Sequence, residues 1–150
     1  MSDVVTLDRR PPKQGKRAPK GARVFGDFIA ILVNLVVLWI VRNLLAWGWF
    51  GWLTEDFSEV VPLIRLQILV TVGTHIVFVI YDPRWMRSWG EVVTGAFGLV
   101  AAVALWRVFP FAFDATLWTN IARFAIAVGI VGTVIGMLVN LVKGTRQLFG

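Results

Sequence analysis

Residues 28–46 read FIAILVNLVVLWIVRNLLA, a run of 19 residues with no acidic group and a single charge, Arg42. At about 1.5 Å of rise per residue such a run covers roughly 28 Å as a helix, the thickness of a bilayer's hydrocarbon core. Asp27 before it reads as an N-cap, and Trp47, Trp49 and Trp52 after it as an interfacial aromatic edge. Three further runs follow, at about 60–81, 92–109 and 117–142. The second is entered through Thr54-Glu55-Asp56-Phe57-Ser58-Glu59 and stopped by Pro83, because proline disfavours helix at the residue before it. Ser88-Trp89-Gly90-Glu91 has the spacing of a capping box for the third run, which Pro110 ends. The expected fold is an all-α membrane protein, an antiparallel bundle of four transmembrane helices joined by short links. In domain terms, 1–26 is a basic cytoplasmic tail without structure of its own, 27–143 the membrane domain and 144–150 a short cytoplasmic tail.

Composition supports lipid as the main solvent. Of the 150 residues, 57% are apolar, the mean hydropathy is +0.73, and eight Trp and eleven Phe suit an aromatic belt. The net charge of +6 resides mainly in the tail, where Arg9, Arg10, Lys13, Lys16, Arg17, Lys20 and Arg23 lie close together. The link between the second and third runs adds Arg84 and Arg87, and the C-terminal end adds Lys143 and Arg146. The other two links hold no basic residue but do hold Glu55, Asp56, Glu59 and Asp114. By the positive-inside rule both termini are expected in the cytoplasm, with the chain in a cell (inner or plasma) membrane. The tail's expected contact is anionic lipid headgroups rather than nucleic acid, since it lacks interleaved aromatics.

Polar residues inside the runs are the candidate functional groups. Arg42, Arg65, Arg107 and Arg123 occur one per run, each toward the end opposite the termini and roughly 3–10 Å inside the boundary. Intramembrane arginines either snorkel to headgroups, pair with acids, or line an anion site. Gln67, Thr71, Thr74 and His75 form a polar stripe on the second helix, which should face protein, with Asn34, Thr94 and Asn140 as potential partners. His75 is the chain's only histidine, the side chain type that changes charge near neutrality. Gly95 and Gly98 on the third run, and Gly129, Gly132 and Gly136 on the fourth, make small-residue stripes suited to close helix packing, within the chain or in a homo-oligomer.

Several chemistries are disfavoured. With no cysteine and one histidine, thiolate clusters, bis-histidine haem ligation and three-ligand zinc sites lack their residues, so no metal and no cofactor is expected. Neither GxxxxGK[S/T] nor GxGxxG occurs. No nucleophile and base are spaced to suggest hydrolysis, so no catalytic residue is assigned.

The basic tail, the four short-linked spans, Tyr81-Asp82-Pro83-Arg84-Trp85 between spans two and three, and Phe109-Pro110-Phe111 after span three resemble small uncharacterised four-span membrane proteins of high-GC Gram-positive bacteria. That resemblance implies a bacterial inner membrane and no particular activity. In size and span number the chain is also similar to small multidrug-resistance exporters, but these depend on a glutamate in the first span, which is absent from 28–46. The expected function is that of a non-catalytic subunit, assembly factor or scaffold in a homo-oligomer or larger membrane complex. The alternative is a small anion or lipid transporter or channel using the intramembrane arginines.

Overall fold

The computed structural model describes residues 18–149, and these form four helices: α1 (Lys20–Trp47), α2 (Phe57–Ile80), α3 (Arg84–Val108) and α4 (Thr116–Phe149). All four are long and apolar enough to cross a membrane. No more than 11% of any span's apolar window is buried within the chain, so the apolar faces point outward, as a lipid solvent requires. The protein is therefore a multi-pass, all-α membrane protein, with residues 1–17 and 150 outside the description.

Local chemistry sets the helix ends, and two of them differ from the sequence expectation. α1 begins at Lys20, directly after Pro19, whose carbonyl accepts the Arg23 amide at 3.3 Å. Asp27 is thus not an N-cap. It lies two turns inside α1 and is buried, 5% exposed, because its carboxylate is used in contacts with other helices. Likewise α3 begins at Arg84 after Pro83, so Ser88 does not cap it. The Ser88 hydroxyl instead donates to the Arg84 carbonyl within the helix, and Glu91 stands two turns inside α3. Gly48 ends α1 in the left-handed conformation (φ 61°), which glycine adopts without a Cβ penalty. Phe109 ends α3 in the same region at φ 43°, uncommon for an aromatic residue, and Pro110 prevents continuation. At 34 residues α4 is about 51 Å long, well beyond a roughly 30 Å core. Residues 144–149, read from sequence as a tail, continue this helix.

Helices pack in chain order: α1 on α2, α2 on α3 and α3 on α4, with no close backbone approach between α1 and α4. The bundle is consequently open rather than a closed ring. At the end far from the termini, the first and third links are tied by backbone pairing. Thr54 donates to Pro110 O at 2.9 Å, Ala112 to Trp52 O at 2.6 Å, and Leu53 faces Phe111 as an isolated antiparallel bridge. Rings of Phe50, Trp52, Phe109, Phe111 and Phe113 gather around this tie.

Candidate functional site

Two polar assemblies stand out, one at the termini end and one within the spans. The first brings together α1, the end of α2 and the start of α3. Asp27 Oδ1 lies 2.9 Å from His75 Nδ1, and Asp27 Oδ2 accepts from an Arg87 terminal nitrogen. Arg87 Nε is 3.4 Å from Asp82 Oδ1, and the other Asp82 oxygen pairs with Arg23. Phe78, 3% exposed, supports the assembly: Arg87 stacks on its ring with Cζ 5.0 Å from the centroid, and His75 meets it edge-on at 5.8 Å. Among the described residues, two carboxylates thus meet two guanidiniums and the imidazole. Its geometry suits a lock between helices, since each carboxylate oxygen is already engaged.

Sequence spacing does not assemble this cluster: by sequence Asp27 is a cap, Arg23, Arg84 and Arg87 are topology signals and His75 is part of a stripe. Depth was the available signal. Asp27 near the start of one run, His75 near the end of the next, and Arg87 just after the following link must share a level in an antiparallel arrangement.

The second assembly is a groove of about 380 Å³ between α2, α3 and α4. From α2 it takes Gln67 and Thr71, from α3 Glu91, Thr94, Gly95 and Gly98, and from α4 Thr133, Gly136 and Asn140. The Asn140 amide donates to Glu91 Oε2 at 2.7 Å, tying α4 to α3. Most other polar groups are satisfied within their own helix: Gln67 Nε2 donates to Thr71 Oγ1 at 3.1 Å, and the Thr71 hydroxyl donates to Gln67 O at 2.9 Å. Thr74 donates to Val70 O, Thr133 to Gly129 O and Asn34 to Ala30 O. Half of the sequence-read stripe, Gln67 and Thr71, thus faces the groove with Thr94 and Asn140, whereas His75 joins the charge cluster and Asn34 stays on its own helix.

The glycines divide. A Cβ on Gly95 would fall 2.6 Å from Met137 Cγ, so this glycine permits the close approach of α3 and α4. Gly98 lies against Gln67, at 3.9 Å from such a Cβ. Around Gly129, Gly132 and Gly136 nothing lies within 4 Å, so the α4 stripe has no packing partner inside the chain. Two glycines outside these stripes are more closely engaged: Gly90 under the Phe78 ring, and Gly144 against Trp89 and Ser88.

The four intramembrane arginines are all exposed. Arg107 borders an apolar hollow with Leu63 and Val103, and Arg123 stacks on Phe109 at 4.4 Å and Trp106 at 5.7 Å. None forms an ion pair with Glu55, Asp56, Glu59 or Asp114 among the described residues. Among these residues no group of three metal-ligating side chains occurs.

No family model, curated protein or solved structure matches the chain. Geometry alone carries the functional reading.

Proposed function

We propose that this chain is a non-catalytic membrane subunit or assembly scaffold, whose groove between α2, α3 and α4 receives a transmembrane segment of another polypeptide. The groove itself carries this reading. Gln67, Thr94, Glu91 and Asn140 already hold hydrogen bonds within the chain, and they line the groove beside Gly95, Gly98 and Gly136, a polar, small-residue surface of the kind against which membrane helices pack closely. Site-specific photocrosslinkers at Thr94 and Thr133 in native membranes are expected to give discrete protein adducts, and one at Val128, on the outer face of α4, lipid adducts only. An adduct of twice the chain's mass identifies the partner as a second copy. Lipid adducts alone at both groove positions would reject the proposal.

The same reading places the protein in a cell membrane with both termini in the cytoplasm, supported by the basic residues of the tail, Arg84, Arg87, Lys143 and Arg146 on one side of the spans. Reporters fused after residue 150 or inserted near Arg84 are expected to behave as cytoplasmic, and those inserted near Glu55 or Asp114 as external. An external signal from the C-terminal fusion would reverse the orientation.

A further inference from the structure

We propose that the far end of the bundle holds a binding site for a quaternary ammonium group. A cavity of about 540 Å³ opens there between the first link and the start of α4, lined by Trp52, Phe113, Asp114, Ala115 and Trp118. Three of these five residues are aromatic and one is a carboxylate. Trp52 and Phe113 stack at 5.2 Å with 25° between their planes, and the backbone tie between the links holds this pair in place. Trp118 supplies the third ring from the first turn of α4. Asp114 is exposed and makes no ion pair among the described residues.

The chemistry of the lining selects the ligand class. Aromatic faces attract cations through the ring quadrupole, and choline-like groups are the characteristic ligands of such cages. A primary ammonium needs about three acceptors to replace its hydration, and this lining offers one carboxylate. A trimethylammonium group needs none, and its methyl shell gains contact with the rings. The N-terminus of α4 would by itself favour an anion, but its roughly half a unit charge is outweighed by the full charge of Asp114 beside it. The cavity lies at the level of the spans' ends, so its quaternary ammonium can belong to a phosphatidylcholine headgroup or to a free molecule such as choline.

The test uses the full chain labelled with 5-fluorotryptophan, the Trp52 and Trp118 resonances being assigned from single Trp→Phe variants. Choline chloride is titrated in maltoside detergent, and the lipid arm compares nanodiscs of phosphatidylcholine with those of phosphatidylglycerol. Saturable shifts of these two resonances with choline, with phosphatidylcholine discs or with both are expected, each pattern naming the source. Asp114→Asn should weaken choline binding about threefold and Trp118→Ala about fivefold, as expected for an exposed cation–π and carboxylate site. Trp118→Phe keeps a ring and should retain most of the binding, which separates loss of the cage from loss of the fold. An equal response to methylammonium, the absence of saturable shifts in both arms, or unchanged binding in both Asp114→Asn and Trp118→Ala would overturn the proposal.

Discussion

Asp27→Asn is expected to lower the stability of the bundle by about 3 kcal/mol, read as the shift in unfolding midpoint in mixed micelles, because removing one member of a buried ion cluster leaves its partners uncompensated. The asparagine keeps the shape of the side chain but not its charge, so Arg87 loses its closest carboxylate and the cluster gains one net positive charge. At 6% exposure, the side chain of Asp27 has little water available to take over. The double variant Asp27→Asn with Arg87→Gln removes both members of the pair and is expected to recover at least half of the loss, since charges in contact couple rather than add. A single variant within about 0.5 kcal/mol of wild type would show that the cluster is solvated and does not lock the helices.

A second large effect is expected at Gly90. A Cβ there would fall 2.5 Å from Phe78 Cζ and 2.8 Å from Thr74 Cγ2. Phe78 is 3% exposed and already bears Arg87 on its face and His75 at its edge, so the ring cannot swing aside without disturbing the charge cluster. Gly90→Val should therefore cost about 3 kcal/mol, the upper part of the overpacking range. Gly132→Leu, with open space around it, should leave the monomer's unfolding midpoint unchanged. If Gly132→Leu instead lowers the oligomer fraction in crosslinking, the α4 stripe is an interface between copies. Equal midpoints for Gly90→Val and wild type would mean that α2 and α3 do not meet as closely as described.

The four spans were legible because apolar runs of membrane length, bounded by Pro83, Pro110 and tryptophans, leave little alternative. Helix starts were harder. Residues 20–26 read as tail because they are basic and contain two glycines, yet they extend α1 by two turns, and it is the contact of Arg23 with Asp82 that favours their order. Ser88-Trp89-Gly90-Glu91 fits a cap by local spacing, but α3 starts after Pro83, and the four residues have separate roles within it. Local patterns carry no information on which partner a side chain meets 48 or 60 residues away, as Asp27 does with His75 and Arg87. The same limit applies to the small-residue stripes: Gly95 and Gly132 look equivalent in sequence, and only the register of α3 against α4 distinguishes them.

Packing in chain order has a consequence for biosynthesis. Each helix meets its neighbour as soon as that neighbour emerges, so insertion can proceed hairpin by hairpin without waiting for a distant segment. Asp27 is one of the groups that must wait, as are the residues of the tie between the first and third links. The Asp27 carboxylate enters with the first helix, but Arg87 is translated 60 residues later, after the second span has crossed. Before that, His75 arrives with the second helix as the first partner of the carboxylate, and the charged pair that joins α1 to α3 is completed only when the third helix begins.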